Sequence, residues 1–288
     1  MPHLFVFGMG YTAGRLAARL AVEGWGVSGS TRVGGTAQIA FDDGRAILAE
    51  LGRATHILSS VPPADGTDPV IARYGAALGT APAKWLGYLS STGVYGDTAG
   101  AWVDESAPIG GGRRGPRAAA DAGWQALRGD VRVFRLPGIY GPGRSAFDRL
   151  REGRGHRVDL PGQIFSRVHV DDIVAVIRAS VSAGPPGAYN IADDLPAPQN
   201  AVIEHACRLA GLPVPPLLAA DDPRLPTAAA AFYAENRRVA NGKARRLLGW
   251  RPAYPDYRAG LLSILARSAT TRPASASSPP KAASADQA

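Results

Sequence analysis

The sequence predicts an α/β fold, a doubly wound parallel sheet followed by a small and irregular C-terminal lobe. Short apolar runs alternate with amphipathic stretches of helical period through the first 137 residues, which is typical of β-α units around a parallel sheet. A glycine-rich turn at 8–14 connects the first apolar run to the first amphipathic stretch. Beyond residue 137 the alternation loosens, and Gly and Pro become frequent.

Each element has its own signal in the chain. Apolar runs predict strands at 4–7, 25–31, 38–41, 56–61, 85–90 and 131–136, and amphipathic stretches predict helices at 12–23, 43–51, 68–78 and 116–127. Gly24 is expected to end the first helix, and Pro62 the fourth strand. The second region is predicted to contain strands at 168–170 and 189–191 and helices at 172–181, 198–210, 241–248 and 257–267.

Composition limits the classes of protein. The 288 residues are 45% hydrophobic, and no apolar run approaches the roughly 18 residues needed to span a bilayer. The start of the chain has the pattern of a first strand rather than of a signal peptide, and the single cysteine, Cys207, excludes a disulfide within the chain. We therefore expect a cytoplasmic protein without a membrane partner.

The net charge of +8 requires nucleic acid to be considered as a partner. Nearly all of the basic residues are arginines, and they fall in small groups that do not alternate with aromatic residues. Zinc-finger spacing and an RNA-recognition signature are absent from the sequence. We expect no nucleic-acid partner, because solvated arginine faces and a phosphate-bearing small molecule account for these groups more simply.

The turn at 8–14, Gly-Met-Gly-Tyr-Thr-Ala-Gly, has the features of a dinucleotide-binding Rossmann turn. Gly8 allows the tight turn, Gly10 lets the backbone approach a pyrophosphate, and a small residue at 13 or 14 allows the helix to pack closely on the strand. The backbone N–H groups at the helix start are expected to bind the anion, namely those of Tyr11, Thr12 and Ala13. A glycine-rich turn without a ligand is the competing interpretation.

The end of the second strand decides the expected cofactor. An NAD-binding protein usually places Asp or Glu there to bind the ribose hydroxyl. This sequence has Ser30, Thr31 and Arg32 instead, and no acidic residue before Asp42. Because Arg32 can pair with a 2′-phosphate and the two hydroxyls can add hydrogen bonds, we expect NADP(H), with NAD as the alternative. A solvent-facing Arg32 without a ligand remains open.

Five segments in succession resemble a known family. They are LSSTGVYG at 89–96, RLPGIYGPG at 135–143, SRVHVDDI at 166–173, AYNIADD at 188–194 and LGWRP at 248–252. In this order they resemble the extended short-chain dehydrogenase/reductases, the NAD-dependent epimerase/dehydratase family, over about residues 3–265. The resemblance implies a Rossmann domain of 1–137 with about 166–183, and a substrate lobe of about 138–165 and 184–267. From Ser268 onward the Ala/Ser/Pro-rich chain is expected to be a disordered tail.

The resemblance also implies roles for individual residues. Asp42 would lie near the adenine, and Ser91 would be the active-site serine that hydrogen-bonds the reacting oxygen. Five further residues would line the cofactor groove and its nicotinamide end: Ser59, Ser60, Val61, Pro137 and Gly138. The expected substrate contacts are Thr92, Arg113, Tyr140 and Arg144. Arg144, Arg149 and Arg151 could pair with a substrate diphosphate, and a solvated helix face is the competing interpretation. Family members commonly act on nucleotide sugars, and a homodimer is common among them.

The sequence departs from this family at the catalytic base. The family uses the tyrosine of a Tyr-x-x-x-Lys motif, and this chain contains no such motif. The best register places Arg113 at the tyrosine and Arg117 at the lysine, and a guanidinium is a poor general base. Tyr95 is expected to act with Ser91 instead, with Tyr140 as a second candidate and a packed aromatic as the competing interpretation for both. Arginines that polarise a carbonyl as electrophiles, and a site without activity, stay open as well.

These observations predict a class of function. His169, Asp171 and Asp172 could suggest a metal site, but an acidic residue before a helix is a good N-cap, and no metal is expected. The sequence predicts an NAD(P)-dependent oxidoreductase or epimerase/dehydratase-like enzyme for a small carbonyl- or hydroxyl-bearing substrate, such as a nucleotide sugar. The alternative is a catalytically inactive NADP(H)-binding sensor or regulatory protein.

Overall fold

The apolar runs form β-strands and the amphipathic stretches form α-helices. The computed structural model of the protein describes residues 1–110, 115–225 and 233–270. In chain order the strands are β1 (His3–Phe7), β2 (Gly26–Thr31), β3 (Ile39–Ala40), β4 (His56–Ser59), β5 (Trp85–Ser91), β6 (Trp102–Val103), β7 (Val131–Leu136), β8 (Gly138–Tyr140), β9 (Arg157–Val158), β10 (Arg167–His169), β11 (Gly187–Asn190), β12 (Leu217–Leu218) and β13 (Arg238–Val239). The helices are α1 (Tyr11–Val22), α2 (Gly44–Arg53), α3 (Pro69–Thr80), α4 (Gly115–Leu127), α5 (Ala146–Arg151), α6 (Val170–Ser182), α7 (Gln199–Ala210), α8 (Gly242–Leu247) and α9 (Tyr257–Thr270).

The main sheet has the strand order β11-β7-β5-β4-β1-β2-β3, and all of its neighbouring strands are parallel. The order reverses between β1 and β4, because the chain builds outward from β1 first on one side and then on the other. At such a switch point the connections leave in opposite directions and open a crevice at the carboxyl ends of the strands. This arrangement confirms the predicted doubly wound fold.

Strand alternation divides the apolar side chains between two cores. In β1, Leu4 and Val6 belong to the core on the α1 and α6 side of the sheet. Phe5 and Phe7 point to the opposite face and belong to the core formed with α2, α3 and α4. Because helices cover both faces, the central strands are apolar on both sides, which is the reason for their continuous apolar runs.

The C-terminal lobe has a core of its own. Phe147 of α5, Ile203 of α7 and Leu261 of α9 are buried together with Tyr140 of β8. Three two-stranded parallel ladders accompany this core: β8 with β10, β9 with β12, and β6 with β13. Since β8 begins directly after the end of β7, the lobe lies at the carboxyl end of the main sheet, where the crevice opens.

Three boundaries differ from the sequence-based expectations. β11 pairs with β7 in the main sheet, so 187–190 extends the sheet of the first domain rather than the substrate lobe. The last helix continues to Thr270, beyond the predicted start of the tail at Ser268, and residues 271–288 lie outside the described residues. The side chain of His169 caps α6 by accepting a hydrogen bond from the Asp171 N–H, where the sequence favoured Asp171 or Asp172 as the cap.

The described residues contain neither a membrane-spanning helix nor a metal-binding group of side chains. In the described part of the chain, no helix is both long and apolar enough to cross a lipid bilayer. The same residues contain no group of three or more His, Cys, Asp or Glu that could hold a metal ion. His169 and Asp172, two of the three residues with metal-ligand chemistry in this segment, are buried and serve as a helix cap and as an acceptor for backbone N–H groups.

A buried ion pair connects α4 to the main sheet. Arg135 of β7 donates two hydrogen bonds to Asp121 of α4, from Nε to Oδ2 at 3.0 Å and from Nη2 to Oδ1 at 2.8 Å. Ser90 Oγ donates to the same carboxylate at 2.6 Å. Arg135 Nη1 donates to the Tyr95 hydroxyl at 2.9 Å, and that hydroxyl donates to Asn190 Oδ1 at 2.8 Å. All five side chains are buried, and they connect β5, β7 and β11 next to the crevice.

Asp121→Asn tests the contribution of this network to stability. The substitution keeps the size of the side chain but leaves the buried charge of Arg135 without its carboxylate, so the free energy of unfolding in urea should fall by about 3–5 kcal/mol. The control Arg19→Ala breaks an exposed pair with Glu23 and should cost about 0.5 kcal/mol or less. A similar small loss for both variants would contradict a buried ion pair.

Candidate functional site

The turn between β1 and α1 lies at the switch point of the sheet. Gly8 has a φ of +84°, which L side chains rarely adopt, and a Cβ there would lie 3.0 Å from both Ser60 Oγ and Val61 Cγ2. Ser60 Oγ donates a hydrogen bond to the Gly8 carbonyl at 2.5 Å, and the fully buried Ser59 accepts one from the Val61 N–H at 3.4 Å. Ser59, Ser60 and Val61, which were predicted to line the cofactor groove, therefore lie against the turn and restrict it at Gly8.

Backbone hydrogen bonds hold the first half of this turn. The N–H groups of Gly8 and Met9 both donate to the carbonyl of Ser30, at 3.1 and 3.0 Å. The Gly10 N–H donates to the Gly8 carbonyl at 2.9 Å. These hydrogen bonds connect the turn to β2. The N–H groups of Gly8, Met9 and Gly10 are therefore already satisfied within the protein.

The start of α1 is different, because its amides are left open. Gly10 is the N-cap, and no side chain caps the first turn of the helix. The N–H groups of Tyr11, Thr12 and Ala13 have no intrahelical acceptor at such a position. A Cβ built on Gly10 would meet nothing within 4 Å, so the approach to these amides is not blocked. An uncapped, accessible helix start fits a pyrophosphate.

The carboxyl end of β2 carries hydroxyl groups and an arginine. Ser30 Oγ and Thr31 Oγ1 are buried and have no hydrogen-bond partner among the described residues. Arg32 follows them, is exposed, and takes part in none of the ion pairs within the described residues. Asp42, which the resemblance places near the adenine, forms a surface ion pair with Arg73 at 2.7 Å. The unpartnered hydroxyls fit a polar ligand group, and Arg32 fits an anionic one.

A cavity of about 560 Å³ lies between the carboxyl end of the sheet and the C-terminal lobe. Its volume is in the range of small-molecule sites. The sheet side is lined by four residues that the sequence predicted for the site: Ser91, Thr92, Pro137 and Gly138. Tyr140 and Arg144, two further predicted residues, line the cavity from the segment after β7. The predicted substrate contact Arg113 lies outside the described residues.

Ser91 ends β5 at the edge of the cavity. Its Oγ accepts a hydrogen bond from the Gly93 N–H at 3.1 Å and so caps the short 3-10 turn Thr92–Tyr95. The proton of the Ser91 hydroxyl is not used in a hydrogen bond with any described residue. A hydroxyl held in this way can donate its proton to an oxygen atom of a ligand in the cavity.

The two candidate tyrosines do not present their hydroxyls to the cavity. The Tyr95 hydroxyl is held between Arg135 and Asn190, and the side chain is 4% exposed. The Tyr140 hydroxyl points to the Asp256 carbonyl at 3.3 Å, towards the start of α9. Burial raises the pKa of both phenols above the ordinary value. The sequence predicted that Tyr95 is catalytic. In the structure its hydroxyl instead completes the buried hydrogen-bond network of Arg135 and Asn190.

Tyr11 and Arg144 connect the open helix start to the cavity. The Tyr11 hydroxyl donates to the Pro142 carbonyl at 3.0 Å. The Arg144 guanidinium lies 5.8 Å from the centre of the Tyr11 ring and also lines the cavity. A ligand on the amides of α1 and a ligand in the cavity would therefore be neighbours.

Arg149, which the sequence offered as a partner for a substrate diphosphate, lines the cavity, whereas the lining residues Arg167 and Gln199 were not predicted as site residues. Arg167 begins β10, one residue before the strand that the sequence predicted at 168–170, and its burial is visible only in the structure. Gln199 had no signal in the sequence, because its contact with the cavity depends on the packing of α7 against α5 and α9 and on its hydrogen bond from Arg167. The sequence could not show that these residues share a cavity with Ser91.

Two buried carboxyl groups lie next to this lobe, Asp172 on α6 and Asp193 after β11. Asp172 accepts hydrogen bonds from the N–H groups of Ala253 and Tyr254 at 2.7 and 3.1 Å, and burial raises its pKa to about 6. Asp193 is 2% exposed, and its oxygens form no hydrogen bond of normal geometry with the described residues, although the Leu195 N–H approaches them. Burial raises the pKa of Asp193 to about 8 in spite of the nearby Arg167.

The fold and the site define a Rossmann-type α/β protein with a small-molecule cavity beside an open helix start. No protein-family model matches the chain. The structure of a functionally unknown conserved protein from Silicibacter pomeroyi is 41% identical, covers 93% of this chain and 99% of its own, and has a TM-score of 0.82. Human epimerase family protein SDR39U1, solved with NADPH, is 18% identical over 91% of this chain and 98% of its own, with a TM-score of 0.71. MoeE5, solved with UDP-glucuronic acid and NAD, is 19% identical over 92% and 99%, also with a TM-score of 0.71.

One characterised relative is similar over part of its length. A 3-diazoavenalumate denitrifying reductase from a Streptomyces species is 36% identical over 138 residues, which is 45% of this chain and 45% of that protein. The Silicibacter pomeroyi similarity, in contrast, covers nearly all of both chains. The chain shares its fold with these NAD(P)-binding structures, and its motifs resemble the extended short-chain dehydrogenase/reductases, whose Tyr-x-x-x-Lys motif is absent from the sequence.

Asp193→Asn tests the state of the buried carboxyl. An unfolded aspartate has a pKa of about 3.9, so between about pH 4 and pH 8 the folded protein binds more protons than the unfolded chain. Stability contributed by the protonated carboxyl is therefore present at low pH and is lost as the pH rises towards 8. In urea unfolding, the wild type should lose about 1–4 kcal/mol relative to Asp193→Asn between about pH 5 and pH 8. The exposed Asp221→Asn is the control, and parallel curves for wild type and Asp193→Asn would contradict the raised pKa.

Proposed function

We propose that this protein is an NADP(H)-dependent oxidoreductase that acts on a small carbonyl- or hydroxyl-bearing substrate. The observation that carries the proposal is the carboxyl end of β2 beside the uncapped start of α1. Arg32 and the unpartnered hydroxyls of Ser30 and Thr31 suit a 2′-phosphate. NAD binding would ordinarily use a carboxylate at this position, and the chain has none there.

The cavity supports an enzyme rather than a protein that only binds a dinucleotide. It brings Ser91, Pro137 and Gly138 next to Arg144, which itself lies beside the helix start. A substrate in about 560 Å³ would be in contact with a cofactor on the α1 amides. The human neighbour solved with NADPH and the Streptomyces reductase support a reductase, whereas MoeE5, solved with NAD and UDP-glucuronic acid, supports the epimerase/dehydratase-like alternative with a nucleotide sugar.

The residues of the chain would bind and orient the reactants. A bound nicotinamide would supply or accept the hydride in such a reaction. The α1 amides and Arg32 would hold the phosphates, and Ser91 would donate a hydrogen bond to the reacting oxygen. Because Tyr95 and Tyr140 do not offer a phenol to the cavity, we propose that Ser91 and the lining guanidinium groups stabilise charge on that oxygen.

A cofactor titration tests the dinucleotide assignment. Fluorescence titration should show that NADPH binds more tightly than NADH and that Arg32→Ala weakens NADPH by about 10- to 100-fold, because a charge-assisted contact to the 2′-phosphate is lost. NADH affinity should change little. Arg19→Ala, at the other end of α1, is the control. Equal affinity for both dinucleotides, unchanged by Arg32→Ala, would show that the assignment to NADP(H) is wrong.

A turnover assay tests the catalytic assignment. Loss of NADPH absorbance is followed across a panel of carbonyl substrates. For an active substrate, Ser91→Ala should lower kcat/KM by about 100-fold. Tyr95→Phe should mainly lower stability, by about 1–3 kcal/mol, because it leaves Asn190 and Arg135 without their shared partner.

Two results would contradict this assignment. An unchanged kcat/KM in Ser91→Ala would exclude Ser91 from the reaction. Tight NADPH binding without turnover of any panel member would favour the inactive sensor.

A further inference from the structure

A second cavity, of about 440 Å³, lies at the amino end of the main sheet. Leu4, His56 and Trp85 line it from the beginnings of β1, β4 and β5. Because Leu4 pairs with His56 and His56 pairs with Trp85 across the parallel ladders, the three side chains stand in one row on the same face of the sheet. Leu4 and Trp85 belong to the core that α1 and α6 cover, so the cavity lies at the end of that core opposite the turn at Gly8.

The interior of this second cavity is apolar. Leu16 and Leu20 of α1 line one side. The aliphatic lining residues from the region of α6 are Ala175, Ile177, Ala179 and Val181. The two oppositely charged lining residues, Glu23 and Arg178, bind each other at 2.7 Å and are therefore already paired. An apolar interior with few polar groups is typical of small-molecule sites, and the paired charges favour a neutral ligand.

Three aromatic rings line the same cavity. The ring centres of Trp25 and His56 are 4.6 Å apart with 56° between their planes, and those of His56 and Trp85 are 6.3 Å apart with 42°. Trp85 Nε1 donates a hydrogen bond to the Ser180 carbonyl at 3.2 Å, which holds the indole against α6. Tilted rings present both faces and edges, which suits an aromatic ligand. Since an apolar cavity of roughly 150 Å³ can hold benzene, the volume here is sufficient for a substituted ring.

His56 supplies one polar atom to this apolar lining. The Thr55 hydroxyl donates its proton to the His3 carbonyl at 3.0 Å, so towards His56 Nδ1, at 2.8 Å, the same oxygen can only accept. Nδ1 therefore carries the ring proton. Burial and the charge of Lys84 lower the pKa of His56, which keeps the ring neutral at pH 7. The lone pair is then on Nε2, which forms no hydrogen bond with a described residue and can accept one from a ligand.

We propose that this cavity is a second ligand site and that it binds a phenol, a neutral aromatic ring with a hydroxyl group. The ring lies between Trp25 and Trp85, and the hydroxyl donates a hydrogen bond to His56 Nε2. An aromatic hydrocarbon would leave Nε2 without a donor, and a charged ligand would lose hydration among the aliphatic side chains. The described lining includes no residue of the dinucleotide turn and none of the cavity beside Ser91, so the inference does not rest on the proposed function.

Calorimetric titration with phenol, toluene and anisole tests the proposal. The three molecules have the same ring, but phenol alone carries a hydroxyl proton, and anisole has an oxygen without one. Phenol should bind with a dissociation constant in the millimolar range or below, as expected for so few atoms. It should bind about fivefold more tightly than toluene or anisole, because one hydrogen bond between neutral groups contributes about that factor.

Three variants locate the binding. His56→Phe keeps a ring but removes the acceptor, so it should weaken phenol about fivefold and change toluene by less than about twofold. Ala179→Phe places a ring in the cavity from α6 and should abolish binding of both ligands. His205→Phe is the matched control, because this half-buried histidine of α7 lies outside the lining. Its phenol affinity should stay within about twofold of the wild type.

The outcomes decide the proposal without reference to NADPH, since a protein that fails to bind NADPH would still give these results. Absence of phenol binding in the millimolar range, or phenol bound no more tightly than toluene and anisole, would overturn it. An unchanged phenol affinity in His56→Phe would also overturn it. Melting curves show whether each variant is folded. If His56→Phe unfolds, Ala179→Phe decides the question, because loss of phenol binding there supports the site and retained binding overturns it.

Discussion

The open start of α1 is the constraint on which the rest of the site depends. Gly8 must adopt a positive φ, and the ends of β2 and β4 press against the turn from both sides, through the Ser30 carbonyl and through Ser60 and Val61. This contact orients α1 so that its first amides face the crevice rather than a capping side chain. Hydroxyl groups, an arginine and a cavity then lie around one uncapped helix end, where an anion is stabilised.

The same residue type serves two purposes in this protein, and its surroundings decide which. Arg135 is buried with a carboxylate, a hydroxyl and good hydrogen-bond geometry, so its charge ties α4 to the sheet. Arg167 is as deeply buried but is held by neutral oxygens and lies on the wall of a cavity. The charge of Arg135 therefore connects two elements of the fold, whereas Arg167 keeps its charge at the wall of the cavity.

The buried network also explains how the site differs from the family pattern. Tyr95 follows Ser91 closely in the chain, but its hydroxyl completes the hydrogen bonds of Arg135 and Asn190, and its pKa is raised by burial. A phenol in this state is a poor proton acceptor at neutral pH. The described lining of the cavity offers a serine hydroxyl and guanidinium groups, which can stabilise negative charge but do not readily take up a proton.

The sequence by itself determined the features that depend on short stretches of chain. Alternating periods predicted the doubly wound sheet, and the glycine turn predicted the open helix start. Arg32 was predicted for the cofactor because it follows the second strand, and Ser91 for the active site because its segment resembles a family motif. Only the tertiary structure decided what distant segments do together. It added β11 to the main sheet, paired Asp42 with Arg73, bonded the Tyr95 hydroxyl to Asn190 and brought Arg149 and Arg167 to the lining of one cavity. The physical reason is that side-chain direction and charge neutralisation depend on neighbours far away in the chain, which local periodicity does not report.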